Sequence, residues 1–354
     1  MSKLKELRDK IDSIDNKLLD LLNERMSIVK EVGDLKNSSN APIYRPEREK
    51  EIIDRLYEIS KTKGYLLDKD SIEAIFLEIF AISRSLERKE RIAFLGPYGT
   101  YTHQAAESRF GATARYLPLL NIESVFKSVA DKESKYGVVP IENNTEGVVG
   151  ITLDSLKKYD VKIVSEICMD IHHSFASYQD DIKNIKRIYS HPQGYNQCLK
   201  FLETHSLLDV EFIPTESTAK AAMLASEDKE SGAICSKIAA KLYNVPLLFE
   251  KIEDNLANRT RFIIISDFIT NKSGNDKTSV IAKTSHKTGA LFELLKEFKE
   301  KNINLLKIES RPKKDDTFNA LFYIDFEGHI EDKEVKEIIE KNSMIWLGSY
   351  LKEC

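Results

Sequence analysis

The residues with the most chemical content lie in the first ninety positions. Apolar side chains recur at Leu4, Leu7, Ile11, Ile14, Leu18 and Leu21, then at Ile28, Val32 and Leu35, in steps of three and four. Between Leu21 and Ile28 the seam calls for an apolar residue, and the chain has Arg25. A guanidinium on such a seam is costly unless it meets an anion. Lys36 lies about 20° away around a 3.6-residue helix, so two cations share one inward face. Arg8 lies about 100° off that direction and would reach the same site only from a partner chain. The competing reading pairs Arg25 with a buried glutamate and leaves Arg8 and Lys36 solvated. Two later stretches add polar groups. Arg48 and Glu49 precede Ile52 and Ile53 by about one turn, and Ser83 and Glu87 edge the stripe Ile72, Ile75, Phe76, Ile79, Phe80, Ile82, Leu86. Together they form a cationic pocket suited to a small dicarboxylate.

A second set of polar clusters follows short β-rich runs, where α/β folds usually place ligands. These are Gly96-Pro97-Tyr98-Gly99-Thr100-Tyr101-Thr102, Glu142-Asn143-Asn144-Thr145, Ser190-His191-Pro192-Gln193 with Gln197 a turn later, and Asn258-Arg259-Thr260-Arg261. Amides at the first of these turns can hold an anion. Taken singly, each cluster is also ordinary turn and capping chemistry. Neither the GxGxxG spacing nor a P-loop is present. His172-His173 has no companion ligands, so no metal site is expected.

The elements that position these residues fall into three blocks. Residues 1–90 read as helices only. The first would be about 48 Å long, too long for a small one-chain core, and so belongs to a bundle shared between chains. A polar loop from Asn37 to Tyr44 leads to a second helix opened by Pro46. A third begins near Asp70-Ser71, with Asp70 and Glu73 as a capping pair. After the charged run 87–91 come strands at Ile92–Leu95, Gly137–Ile141, Lys162–Ile167, Ile188–Ser190, Val210–Pro214, Ala233–Cys235 and Phe262–Ser266, with helical stretches between them. That is an α/β pattern with parallel pairing, large enough for two lobes and a cleft over 91–268. A polar linker, Asp267–Lys277, precedes a β-α-β-β-α-β order over 278–354, the ferredoxin-like α+β pattern. The expected architecture is therefore multidomain: all-α, then two-lobed α/β, then ferredoxin-like.

Composition narrows the function classes. The chain has 354 residues, 42% hydrophobic and 31% charged, with a net charge of -4. That fits a soluble globular protein and provides no positive field for nucleic acid or an anionic membrane. No apolar run spans a bilayer, and the charged N-terminus lacks a signal-peptide block. Cys168, Cys198, Cys235 and Cys354 show no CxxC spacing, so free thiols in a cytoplasmic protein are expected, with neither zinc nor disulfides.

The run LRDKIDSIDNKLLDLLNERMSIVKEVGDLK, followed by PIYRPEREKEII, resembles the all-helical chorismate mutase family. The resemblance assigns substrate binding to Arg8, Arg25, Lys36, Arg48, Glu49, Ser83 and Glu87, and places Arg45 where some members have Asp. Glu87 stands where some members have Gln. Chorismate to prephenate is a pericyclic rearrangement, so the protein must hold the reactive conformer and stabilise charge growing on the ether oxygen. Lys36 and Glu87 would donate to that oxygen, and Glu87 can do so only when protonated. Mutase activity should then fall as pH rises, and Glu87→Gln should flatten the profile.

The runs RIAFLGPYGTYTHQAA, YGVVPIENNTEG, IYSHPQGYNQC, ESTAKAA and NRTRFIIIS resemble the prephenate dehydratase family, whose fold is two lobes like those of periplasmic binding proteins. Thr260 matches its essential threonine, and Glu142, Asn143, Ser190, Gln193 and Gln197 match cleft positions. Arg261 is a weaker candidate because neighbouring strand residues face opposite ways. His191 is equally well explained as a turn residue or as a general acid. The last block resembles the ACT regulatory domain. Gly289-Ala290-Leu291 and Glu309-Ser310-Arg311-Pro312 match its phenylalanine-binding motifs, which usually lie between two chains. These resemblances imply a homodimer or larger homo-oligomer that uses no cofactor, turns chorismate into phenylpyruvate and is inhibited by phenylalanine. The alternatives are a non-catalytic amino-acid sensor, and a dehydratase with a weak mutase.

Overall fold

The computed structural model describes residues 3–39, 42–145, 147–284, 287–312 and 320–354, without the side chains of 37–39, 312 and 320. Two compact units result: Met1–Glu90 with Phe110–Arg115, and Arg91–Arg109 with Tyr116–Cys354.

The first unit is built from α1 (Lys3–Ser39), α2 (Pro46–Lys63) and α3 (Lys69–Glu87). Helix α1 extends into the expected Asn37–Tyr44 loop. Pro46 opens α2 in its first turn, and Gly64 ends it at φ 63, a left-handed conformation that glycine adopts without steric cost. The cap of α3 is Asp68, which accepts the Ser71 amide, rather than the expected Asp70. Its core joins Ile53, Ile72 and Phe80, with Ile52, Leu56, Tyr57 and Phe76 packed around them. Gly33 lets α1 approach α3 closely, since a Cβ there would lie 2.9 Å from the Glu87 Cα. The α1 seam is otherwise uncovered: Leu4, Ile11, Ile14, Leu18, Leu21, Ile28 and Leu35 are all more than half exposed.

The second unit begins with β1 (Arg91–Leu95), α4 (Tyr101–Phe110), β2 (Arg115–Leu119), α5 (Ile122–Ala130), β3 (Tyr136–Asn143), β4 (Gly147–Val148), α6 (Gly150–Lys158) and β5 (Lys162–Asp170). The chain then crosses into a second lobe: β6 (Ser174–Ser177), β7 (Arg187–Ser190), α7 (Pro192–Asn196), α8 (Leu199–Thr204), β8 (Glu211–Pro214), α9 (Thr218–Glu227), β9 (Ser231–Cys235), α10 (Lys237–Leu242) and β10 (Leu247–Glu250). It returns as β11 (Arg259–Ser266). The first lobe's sheet has the order β2-β1-β3-β11-β5 with β4 beside β3, and the second lobe's sheet has the order β10-β6-β9-β7-β8.

The expectation of parallel pairing holds only in part. β1 is parallel to β3, and β7 to β8 and β9, but β11 is antiparallel to both of its neighbours. The reason is topological. The chain leaves the first sheet at the end of β5 and re-enters beside it, so β11 must run backwards. The two crossings lie together, with the Ile171 amide donating to the Asn258 carbonyl at 2.7 Å.

The last block is β12 (Asp276–Thr284), α11 (Ala290–Glu300), β13 (Leu305–Pro312), β14 (Ala320–Glu327), α12 (Lys333–Lys341) and β15 (Ile345–Leu351), in the sheet order β13-β14-β12-β15. One face of this sheet packs on α11 and α12 through Val280, Phe298, Ile324 and Ile338. The other face contributes Ile281, Leu321, Tyr323 and Leu347 to a core shared with the first lobe's Ile163 and Ile263. The expected linker is not a free tether. Asp276 is buried and accepts the Ser273 and Gly274 amides, and the Thr270 carbonyl meets His329 Nε2 at 3.1 Å.

The cysteine expectation also needs correcting. Cys168 on β5 and Cys354 form a disulfide, with their Cα atoms 5.9 Å apart. The fold brings together residues 186 positions apart, a pairing no local spacing could signal. Cys198 and Cys235 are free and buried, and burial pushes the Cys235 thiol up to about 12. Among the described residues no helix is long and apolar enough to cross a membrane.

Candidate functional sites

In the first unit the α1–α3 contact brings the expected cations onto polar partners. Arg25 Nη1 donates to Ser83 Oγ at 2.6 Å, and Lys36 Nζ donates to Glu87 Oε2 at 2.6 Å. Burial lowers the Arg25 guanidinium from its ordinary value, with Glu87 opposing that shift. Both expected donors to the ether oxygen are thus present and ion-paired with each other. Glu49 is held by Arg84, which the sequence reading missed. Arg84 lies 5.6 Å from the centroids of both Tyr44 and Phe110. Its position beside Ser83 was the available signal. Arg48 instead pairs with Glu51 at the surface at 2.6 Å, and Arg45 lies near Glu47 at 3.8 Å. Arg8 is exposed on α1, about 25 Å along the helix from Arg25.

In the second unit the site forms where the end of β3 lies beside the start of β11, with Thr260 opposite Asn143 and Arg261 opposite Glu142. Asn143 Nδ2 donates to Thr260 Oγ1 at 2.7 Å and to Asn258 Oδ1 at 2.9 Å, which uses both of its hydrogens. Its Oδ1 accepts the Thr145 amide at 2.8 Å, and the Thr145 hydroxyl donates to Asn258 Oδ1 at 3.0 Å. Thr260 is therefore fixed through its oxygen, which leaves its own hydrogen to donate. Accepting one hydrogen bond strengthens the next one donated.

Strand alternation puts Arg261 and Glu142 on the opposite face, and the structure separates them from Thr260. Arg261 Nε donates to Glu166 at 2.8 Å, Nη1 to Asp325 at 2.6 Å and Nη2 to the Tyr350 hydroxyl at 2.8 Å. Lys277 Nζ lies 2.8 Å from both Glu166 oxygens, and the amides of Glu353 and Cys354 donate to the same carboxylate at 2.9 and 3.1 Å. Burial pushes the Asp325 carboxyl up, but Arg261, Ser279 and Lys277 together hold the group below its usual range. Burial, then Arg261, push Lys277 down. Arg261 therefore belongs to a buried charge cluster joining the first lobe to the last sheet. Glu142 pairs with Lys307 of β13 at 2.6 Å.

In the second lobe Ser190 is buried and donates to the His191 carbonyl at 2.9 Å. His191 Nδ1 accepts the Gln193 amide at 3.3 Å, the capping role that the turn reading proposed. Gln193 sits in the first turn of α7, and Gln197 closes that helix with its side chain on His173 at 2.9 Å. In the last block Gly289 has φ 84 and no neighbour within 4 Å of a Cβ, so the backbone rather than space requires glycine there. Ala290 and Leu291 form the first turn of α11. On the edge strand β13, Ser310 is exposed, while Arg311 reaches Asp154 of α6 at 3.2 Å and Glu309 lines a small cavity with Lys307, Tyr323 and Asp325. Pro312 ends the strand, and its side chain lies outside the described residues.

Three family models match the chain in this order: chorismate mutase type II over residues 7–88, prephenate dehydratase over 92–268 and the ACT domain over 278–343. The bifunctional chorismate mutase/prephenate dehydratase of Aquifex aeolicus (strain VF5) is 42% identical over 358 residues, covering 99% of both chains. Its Pseudomonas aeruginosa counterpart is 39% identical over 99% of this chain and 98% of its own. A crystal structure of prephenate dehydratase from Arthrobacter aurescens in complex with L-Phe superposes with a TM-score of 0.67 at 32% identity, covering 74% of this chain and 90% of that one. The chain belongs to the prephenate dehydratase family, in the bifunctional form that carries a chorismate mutase and an ACT domain.

Proposed function

We propose that this protein converts chorismate to prephenate in its helical unit and prephenate to phenylpyruvate in its two-lobed unit, with phenylalanine as inhibitor. The observation that carries the reading is the Asn143–Thr260–Asn258 arrangement inside the segment that matches the dehydratase family. Prephenate loses carbon dioxide and its ring hydroxyl. The electrons of the broken carbon–carbon bond enter the ring as the carbon–oxygen bond breaks, and aromaticity drives the step without a redox partner. The leaving oxygen needs a hydrogen, and the Thr260 hydroxyl supplies the hydrogen bond, with Asn143 holding its oxygen. Ser190, Gln193 and Gln197 face the same substrate from the second lobe.

In the mutase, Arg25 clamps a carboxylate, Arg48 joins it by leaving its surface pair with Glu51, and Arg8 is supplied by a partner chain. Lys36 and Glu87 exchange their mutual ion pair for contacts to the substrate. Arg45 and Glu49 border the pocket. The bare seam of α1 supports the partner chain, since so long an apolar stripe needs cover. A homodimer is the minimum assembly consistent with both the seam and an ACT effector site between chains. Phenylalanine would bind at Gly289-Ala290-Leu291 and Glu309-Ser310-Arg311-Pro312. The pairs Lys307–Glu142 and Arg311–Asp154 join that strand to the dehydratase sheet and α6. The reading places the protein in the cytoplasm, where the Cys168–Cys354 disulfide would be an uncommon feature.

The test supplies chorismate alone and follows prephenate and phenylpyruvate with and without phenylalanine. Phenylpyruvate formation suppressed by phenylalanine is expected. Prephenate that accumulates and persists would overturn the Thr260 assignment.

A further inference from the structure

A hydrogen-bonded chain runs from the first lobe across the crossing into the second. The Tyr101 hydroxyl, at the start of α4, lies 2.8 Å from His173 Nδ1 and 2.9 Å from the His172 carbonyl. His173 Nε2 lies 2.9 Å from Gln197 Oε1. The imidazole is held on several sides. It is buried, its backbone amide donates to Glu253 Oε2 at 2.8 Å, and Gly194 lies against it, where a Cβ would be 3.5 Å from Cε1. Glu253, on the returning crossing, also meets His172 Nδ1 at 2.6 Å.

The hydrogens in this chain can be assigned by counting. Burial lowers His173 from the ordinary imidazole value, so at neutral pH the ring has one hydrogen to place. Gln197 Oε1 has none to give, so the link at 2.9 Å requires Nε2–H. Nδ1 is then a bare acceptor, and the single Tyr101 hydroxyl hydrogen is shared between it and the His172 carbonyl. With Oε1 occupied, the Gln197 amide can point only one way. Its NH2 group, which has no partner among the described residues, faces away from His173.

We propose that His173, set in one tautomer by Tyr101, is a positioning residue for dehydration that locks the Gln197 side chain with its two N–H donors toward prephenate. The proposal rests on the reading of Gln197 as a cleft residue. Neither Tyr101 nor His173 needs to touch substrate. They act by fixing the orientation of the amide, so that its donors are in place before the carboxylate and hydroxyl depart.

The test uses the full chain and measures kcat and KM for prephenate, with mutase turnover in the same preparation as the folding control. His173→Leu is expected to lower kcat roughly 10- to 100-fold with KM within about threefold, because a misaimed group costs rate more than affinity. His173→Gln places an amide N–H where Nε2–H stood and should recover most of the loss. Tyr101→Phe should cost roughly three- to tenfold, and it decides the matter if His173→Leu fails to fold. Gln197→Ala combined with His173→Leu should be no slower than Gln197→Ala alone. Multiplying effects, or a His173→Gln variant as slow as His173→Leu, would overturn the relay. An unaltered Gln197→Ala variant would overturn the cleft reading beneath it. A slow Gln197→Ala beside an unimpaired His173→Leu would overturn the relay alone.

Discussion

Replacing Glu166 by glutamine removes the central anion of the charge cluster between the dehydratase sheet and the ACT sheet. Glu166 is fully buried and meets Arg261 and Lys277 at 2.8 Å each. Glutamine preserves the volume. Arg261 then keeps Asp325, while Lys277 loses its ion pair. Removing one partner of a buried pair costs about 3–5 kcal/mol. A second route bounds the cost. Lys277 can release its proton instead, and moving a lysine from its ordinary value to neutrality at pH 7 costs at most about 4–5 kcal/mol, at about 1.4 kcal/mol per pH unit. Because Lys277 is already lowered by burial, the real cost lies below that ceiling. The sign with pH follows from proton counting. A lysine depressed in the folded state leaves the unfolded chain holding more protons, so folded stability rises with pH. The variant depresses Lys277 further, so its deficit should shrink between pH 7 and pH 10. Urea unfolding followed through Trp346, the chain's single tryptophan and a residue of β15, reads this unit directly. A loss below about 1 kcal/mol at pH 7, or an equal deficit at pH 10, would refute the reasoning.

Three other outcomes are expected. Thr260→Val should reduce dehydration by roughly a hundredfold or more while prephenate forms normally, and Thr260→Ser should retain most of the activity, as measured by phenylpyruvate absorbance. Gly33→Ala drives a Cβ to 2.9 Å from the Glu87 Cα, so α1 and α3 must separate. Mutase turnover should fall roughly tenfold with dehydration of added prephenate intact. Leu18→Lys on the bare α1 seam should shift the protein toward monomers in sedimentation experiments and abolish mutase activity before dehydratase activity.

Much of this was legible in the residues because periodicity and punctuation are local. The α1 seam, the Pro46 helix start and the β-α-β-β-α-β order of the last block appear in the structure within a few residues of expectation. Strands β2, β4, β6 and β10 escaped because they are short or polar, and β2 contains Pro118. The site was legible as a set of positions, not as a set of contacts. Helix faces placed Arg25, Lys36, Ser83 and Glu87 toward one interior, but the pairs Arg25–Ser83 and Lys36–Glu87 come from the structure. Strand alternation warned that Arg261 faces away from Thr260, but the same rule was not applied to Glu142. The partners that then claimed them, Glu166, Asp325 and Lys307, lie far along the chain. Arg84, Tyr101 and His173 were hidden for the same reason, and so was the Cys168–Cys354 pair. Each gains its meaning from a neighbour that only the tertiary fold supplies.

The strand order β3-β11-β5 has a consequence for how the chain is made. β11 sits between two strands that emerge earlier, and about 90 residues separate the end of β5 from its start. At synthesis rates of roughly 5–20 residues per second, the first lobe waits about 5–20 s with a strand-wide gap at its centre. During that interval the inner edges of β3 and β5 are open templates for foreign strands. The second lobe, whose sheet uses only strands encoded between the two crossings, can fold completely in the meantime. It is the half that can stand while the sheet bearing Thr260 is still unfinished.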